Sequence, residues 1–288
     1  MRIGIVGNND GPLILLRSLA HRQLAAAWVG LQKPVPPKML ENYSTLATDI
    51  SQEIDEPWIL AKLVSQPVDV LVNCFCNFRF SKTLERVPVL NVHLSYLPSY
   101  RGRHPLHWAL INGETEHGVT IHRMTEKMDA GEIYWQEKVA VKSGSSVRQL
   151  RENLLGVLEN HFGKFMIQWH LGNAPAEINP DTDSTWFPGR KPQDSRLIEW
   201  HDRDKMYRKV MALRSEVEHQ AYLFIDGKKR KVDFAGKPPS NFSNTKDRVV
   251  GIGRDIKSIM LKCDDNNLII LHFVETLPMN ITHNSKIT

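Results

Sequence analysis

Short apolar runs alternate with amphipathic stretches through the first 175 residues or so, and this alternation predicts an architecture. "RIGIV" (2–6) reads as a strand and 11–24 as a helix, with Pro12 suited to a first turn. "AAAWVGL" (25–31) is a second strand and 57–66 a short helix. "VDVLVNCF" (68–75) shows little alternation, as a strand buried on both faces should, and 87–94 is a fourth strand. Two more strands, 118–124 and 131–141, flank a tight turn at 129–131. Then Val147, Leu150, Leu154, Leu158, Phe162, Phe165 and Trp169 fall at helical spacing behind a capping Ser145 or Ser146, and Gly172 and Pro175 stop the helix. Strands alternating with helices imply an α/β fold: a Rossmann-like, mainly parallel sheet with helices on both faces.

Past 179–195, rich in Pro, Asp and Ser, the period changes. One helix is expected over 202–213. Short strands follow: a hairpin turning at Asp226-Gly227, then "RVVGIG", "IKSIMLKC", a "DDNN" turn and "LIILHFVE". The pattern divides the chain into a first domain (1–178), a linker (179–200), a small, mostly antiparallel β-rich C-terminal domain (201–276) and a polar tail (277–288).

Of the 288 residues, 41% are hydrophobic and 24% charged, the balance of a soluble globular protein. No apolar run approaches the roughly 20 residues of a membrane helix. The start reads as a strand and not as a secretory leader, so the cytoplasm is expected. Cys74 and Cys76 sit on one strand and Cys263 lies far away, which suits small core residues better than a disulfide framework or a metal site. A net charge of +5 is compatible with a polyanion, a phosphorylated small molecule or plain solubility. The densest basic run, 226–231, is expected on a solvated hairpin tip.

The first loop, 7–11, joins strand to helix where open α/β sheets bind ligands, yet lacks Gly-x-Gly-x-x-Gly. It reads as a ligand-facing loop with N–H groups toward an anion, or as a plain tight turn. Asn91 and His93, two apart near a strand's carboxyl end, point to one side. Pro98 and Arg101-Gly102 turn the chain, and Asp129 lies in a turn able to reach the same crevice. No Gly-x-Ser-x-Gly elbow or His-Glu-x-x-His helix is present. The trio therefore suggests acyl-type chemistry without a nucleophilic side chain. An Asn amide can hold an oxyanion, a His can relay a proton, and an Asp can orient the His or share the transfer.

Residues 91–133 carry Asn91-x-His93, Ser95 with Leu97-Pro98, Arg101-Gly102 with Pro105, Gly118 to His122, and Asp129 with Gly131. In this ordered set the chain resembles the folate-dependent formyltransferases. The resemblance implies formyl transfer from N10-formyltetrahydrofolate, as co-substrate, to a primary amine, with no metal. Asn91 would hold the oxyanion, His93 would support it or relay a proton, and Asp129 would fix His93 and help take the proton from the incoming amine. The pterin would lie along Phe75, Cys76, Asn77 and Phe78 and near Met128. Residues 101–114 look most like the sugar N-formyltransferases, which act on nucleotide-linked amino sugars such as dTDP-3-amino- or 4-amino-dideoxyhexoses for surface polysaccharide, including lipopolysaccharide O-antigen. That implies a nucleotide sugar beside Asn8, Asn9, Asp10, Tyr100, Arg101, Gly102 and Arg103, a homodimer, and neither nucleic acid nor membrane as partner. A methionyl-tRNA formyltransferase is the alternative, disfavoured by the sparse cations of 31–40 and the mixed charge of the C-terminal part. A formyltetrahydrofolate hydrolase is another, expected to carry a regulatory domain ahead of a first strand that here starts at residue 2. A non-catalytic binding module would require loss of Asn91, His93 or Asp129.

Overall fold

The computed structural model describes residues 1–214, 220–238, 249–253, 257–264, 267–278, 281–282 and 285–288. In chain order come β1 (Ile3–Gly7), α1 (Gly11–Ala20), β2 (Ala26–Leu31), α2 (Pro37–Ser44), β3 (Ile50–Gln52), α3 (Glu56–Ser65), β4 (Val70–Cys74) and β5 (Val89–His93). Then follow β6 (Arg101–Gly102), α4 (Pro105–Asn112), β7 (Glu116–Arg123), β8 (Ile133–Ala140), α5 (Val147–His170) and β9 (Trp186–Phe187). The last part holds α6 (Arg203–Leu213), β10 (Tyr222–Ile225), β11 (Lys228–Gly236), β12 (Val249–Ile252), β13 (Ser258–Lys262) and β14 (Leu268–Phe273). Two compact units result: one of Met1–Pro105, Glu116–Val139 and Arg151–Phe187, the other of Leu106–Thr115, Ala140–Leu150 and Pro188–Thr288.

The first unit is built on a seven-stranded sheet in the order β3-β2-β1-β4-β5-β7-β8. β3, β2, β1, β4 and β5 run parallel and β7 runs antiparallel to β5. β1, β4 and β5 are buried at every position, which is why their sequences are mostly apolar with little alternation. On one face Val6, Trp28, Leu71 and Val89 pack with Ile54 and Ile59. On the other, α1 lies against β1 and β2, and α5 locks to α1 where the Gly163 N–H donates to Ser18 Oγ at 2.9 Å.

The predicted helix over 11–24 stops at Ala20. Gln23, at φ +57°, takes the left-handed turn, and its N–H and that of Leu24 close on the carbonyls of Ala20 and Leu19. With no glycine at the turn, composition carries no sign of it. α3 starts at Glu56, one residue before the expected 57, where Asp55 caps it by accepting the Trp58 N–H at 2.9 Å. Asp55→Ala should cost about 1 kcal/mol and lower Tm by roughly 2–4 °C. An unchanged calorimetric melt would remove Asp55 from the helix start.

The second unit carries a five-stranded antiparallel sheet, β10-β11-β14-β13-β12, with α6 against β11 and β14. At the β10–β11 hairpin Asp226 (φ +48°) and Gly227 (φ +77°) both take positive φ, the geometry that an Asp-Gly two-residue turn supplies. Arg248, Ile256 and the middle of the "DDNN" turn, 265–266, lie outside the described residues, as do 279–280 and 283–284 of the expected tail. That tail is not merely polar. Leu277, Ile281 and Ile287 are buried in this unit's core, and Thr288 exchanges backbone hydrogen bonds with Phe224, covering the edge strand β10. Nor is 179–200 simply a connection: Asn179, Arg190, Leu197 and Glu199 are buried, with Glu199 paired to the buried Lys209. Among the described residues no helix is long and apolar enough to cross a membrane.

Candidate active site

Three polar residues stand at one level of the first unit's sheet. Register places Asn73 of β4 opposite Asn91 of β5, and Asn91 opposite His122 of β7. All three are buried. Asn73 Nδ2 donates to Asn91 Oδ1 at 2.7 Å, and Asn91 Nδ2 lies 3.0 Å from His122 Nε2. His93 closes β5 two residues on, on the same face.

After β5 the chain turns back, and the pairing of β6 with β9 fixes where it goes. Gly102 sits at φ +98°, and a Cβ there would lie 2.2 Å from the Phe187 carbonyl oxygen, so only glycine fits. Its N–H donates to Asp129 Oδ2 at 2.8 Å. Asp129 itself is left-handed (φ +51°), a conformation Asp tolerates better than most residues. Asn179 holds that turn by donating to the Asp129 and Gly131 carbonyls at 2.9 and 3.0 Å. The carboxylate thereby reaches the strand residues: Oδ2 is 3.7 Å from His93 Nδ1, and Oδ1 is 3.6 Å from His122 Nε2 and 3.5 Å from Asn91 Nδ2.

The hydrogen bonds also set the proton positions. His93 Nε2 faces the Tyr100 carbonyl at 2.9 Å, and a carbonyl only accepts, so Nε2 carries the proton. In the neutral ring Nδ1 is then bare and turned toward Asp129. Burial depresses the His93 pKa, outweighing the Asp129 carboxylate and the Tyr100 carbonyl, which both raise it. Burial by itself would raise Asp129, but His93, His122 and the Gly102 N–H prevail and bring it down to about 2. Near neutral pH the pair is therefore a neutral imidazole beside a carboxylate.

Beside Asn91 and Asp129 opens a cavity of about 590 Å³ whose lining includes Phe78, Phe80, Asn91, His122, Met128 and Asp129 but not His93. Phe78 and Phe80 stack at 4.8 Å, and Met128 is half exposed. A larger hollow of about 710 Å³, along Arg86, Arg123 and Glu132, includes none of the trio. Cavity chemistry therefore favours the smaller space.

Asn91, His93, Asp129, Gly102, Phe78 and Met128 are thus brought together. Phe75, Cys76 and Asn77 are not in that lining. Phe75 packs under the Arg151 guanidinium 5.6 Å away, Cys76 is half-buried against the core that holds Ile54 and Ile59, and Asn77 accepts from Gln32. Arg101, expected beside a substrate, is buried: its guanidinium donates to Asp181 Oδ1 and Asn179 Oδ1, each at 2.6 Å, and so braces the Asp129 turn. Tyr100 is buried too, its ring stacked on Phe187 at 4.9 Å, and it meets the site through its carbonyl. Arg103 is exposed. In the first loop, Asn8 donates to Gln32 Oε1 and the Phe75 carbonyl, Asn9 is exposed, and Asp10 is clasped by both Arg151 Nη atoms at 2.5 and 2.9 Å. Asn73 is the residue that sequence reasoning passed over. Its only signal was an amide inside an apolar strand. His122 was legible merely as part of a motif.

Residues 44–162 match a family model described as Formyl transferase. Among solved structures, an N-formyltransferase from Helicobacter canadensis in complex with folinic acid and dTDP-3-aminofucose is similar at TM-score 0.73 and 16% identity, over 95% of this chain and 99% of that one. HypX from Aquifex aeolicus in complex with tetrahydrofolic acid is similar at TM-score 0.65 and 16% identity over 94% of this chain, which spans only 43% of HypX. A methionyl-tRNA formyltransferase from Clostridium thermocellum is similar at 0.59 and 13%, over 83% and 94%. At these identities the likeness is one of fold.

Proposed function

We propose that this chain, which carries a formyl transferase domain over residues 44–162, moves a formyl group from N10-formyltetrahydrofolate to the amine of a nucleotide-linked amino sugar, a dTDP-3-amino- or 4-amino-dideoxyhexose. The observation that carries the reading is the meeting of Asn91, His93 and Asp129, of which Asn91 and Asp129 line the 590 Å³ cavity and His93 lies 3.7 Å behind Asp129. The dTDP-3-aminofucose held by the Helicobacter canadensis protein of like fold supports the acceptor class. The product is a formamido sugar of the kind built into surface polysaccharide, and the reading includes a homodimer, which light scattering checks.

In this mechanism the Asn91 Nδ2–H on the Asp129 side donates to the formyl oxygen as it gains charge under attack by the amine, an interaction that strengthens in the transition state. The bare Nδ1 of His93 accepts the proton that the attacking amine must lose. The resulting imidazolium lies 3.7 Å from the Asp129 carboxylate, which stabilises it. The same Nδ1–H then supplies the proton the departing N10 requires, so the site returns to its starting charge. Phe78 and Phe80 offer aromatic faces to the pterin. Loss of one such contact is worth about 0.5–1.5 kcal/mol, so Phe78→Ala should raise KM for the formyl donor by up to about tenfold with kcat nearly unchanged. A lowered kcat with unaltered KM would move the donor elsewhere.

The test is a panel assay with N10-formyltetrahydrofolate, read by product mass. Acceptors are dTDP-linked 3-amino and 4-amino sugars, a UDP-linked aminopentose and charged initiator tRNA. Formylation of a dTDP sugar, lost in Asn91→Ala, is the expected result. Formylation of tRNA alone would replace the acceptor and keep the mechanism, and release of formate with every acceptor would make the chain a hydrolase.

A further inference from the structure

We infer that Asn73 is a positioning residue whose side-chain amide dictates which end of the Asn91 amide faces the cavity. The inference rests on the formyl-transfer reading and assigns a new role within that site. An Asn amide can sit in its slot two ways round, and only one of them turns N–H groups toward a developing oxyanion. Here both ends of a hydrogen-bond chain are anchored on backbone groups whose polarity cannot be inverted. At one end the Cys76 N–H donates to Asn73 Oδ1 at 3.0 Å, so the Asn73 group left to face Asn91 is Nδ2. Asn73 Nδ2 can only donate, so Asn91 must offer Oδ1, at 2.7 Å. At the other end His122 Nδ1 faces the Arg123 carbonyl at 2.8 Å and carries the proton, which leaves neutral Nε2 as an acceptor for Asn91 Nδ2 at 3.0 Å.

The chain thus runs in one direction, Cys76 to Asn73 to Asn91 to His122 to Arg123, through side chains that three neighbouring strands place level. One Asn91 N–H is held by His122, and the second is left on the Asp129 side, 3.5 Å from Oδ1, beside the cavity. Asn73→Asp keeps the shape but sets an acceptor against Asn91 Oδ1, which favours the opposite orientation of the amide. Asn73→Leu removes the donor without adding charge.

The experiment combines kinetics with a spectrum that needs no turnover. With formyl donor and acceptor, Asn73→Asp and Asn73→Leu should lose about ten- to a hundredfold in kcat while both KM values hold within about twofold, since only alignment in the transition state is damaged. Built on Asn91→Ala, either change should lower kcat by less than about twofold further, because Asn73 acts through Asn91. In 15N-labelled protein a coupling across the hydrogen bond should join Asn91 Nδ2 to His122 Nε2, and it should vanish in Asn73→Asp. Full kcat in both variants, an equal loss on the Asn91→Ala background, or absence of the coupling from the wild-type protein would overturn the assignment. If the wild-type protein transfers no formyl group, the formyl-transfer reading fails, and the coupling still decides whether the lock exists. Asn73→Leu carries the kinetic arm if Asn73→Asp does not fold.

Discussion

Asn91→Ala is expected to lower kcat by about 10²- to 10³-fold while leaving KM for the formyl donor within a few fold. Removing one preorganised oxyanion donor costs about 2.7–4 kcal/mol of transition-state stabilisation, and little of that is felt by the bound ground state. Burial raises the figure toward the upper end, because Asn91 is shielded from water that could replace its N–H. The change has a second consequence. Asn73 Nδ2 and His122 Nε2 both lose their partner, and an unsatisfied buried polar group costs about 1–3 kcal/mol. The variant should therefore melt earlier, and the rate belongs on material shown to be folded by circular dichroism. A variant that is folded and as fast as the parent would take Asn91 out of the mechanism.

Asp129→Asn should slow the reaction by about 10²- to 10⁴-fold, the usual contribution of a proton-transfer group, because His93 loses the carboxylate that stabilises its protonated form. It should also move the pH profile. Burial holds His93 below its ordinary 6.5, and the Asp129 carboxylate works against burial. The parent enzyme should gain activity as pH rises through a value below 6.5, where His93 becomes able to accept a proton, and stay level above it. Without the carboxylate the His93 pKa falls further, so the acid limb of the variant shifts to lower pH. A limb that stays put or moves to higher pH would mean that Asp129 does not act on His93.

The same carboxylate affects stability. Its folded pKa of about 2 is below the ordinary 3.8, so the ionised form favours folding. That contribution, on the order of 2 kcal/mol, is present above about pH 4 and is lost as pH falls through about 2. Acid unfolding should be steeper in that window for the parent than for Asp129→Asn, in which the titrating group is gone.

Some of this was legible in residue order alone. Apolar runs marked β1, β4 and β5 as strands, and the lack of alternation in 68–75 marked β4 as buried on both faces. The helical spacing of Leu154, Leu158, Phe162 and Phe165 marked α5, and Asp226-Gly227 marked the hairpin. Two-residue spacing put Asn91 and His93 on one side of β5. Such features are local, set by backbone sterics and by periods of two or 3.6 residues, so a short window contains them.

Other features came from partners far away in sequence. Arg101 reads as a cation facing a substrate, yet Asn179 and Asp181, nearly 80 residues on, draw it inward. Leu277, Ile281 and Ile287 stand in a polar context, yet the second unit's core takes them up and the chain end covers β10. Asn73, Asn91 and His122 lie in separate strands, and nothing in their spacing says that they are level. Cross-strand register made them a row, and the fixed polarity of two backbone groups gave that row its direction. Composition and periodicity establish which side chains face inward. The direction of a hydrogen bond depends on what stands opposite, and that is settled only when the strands pair.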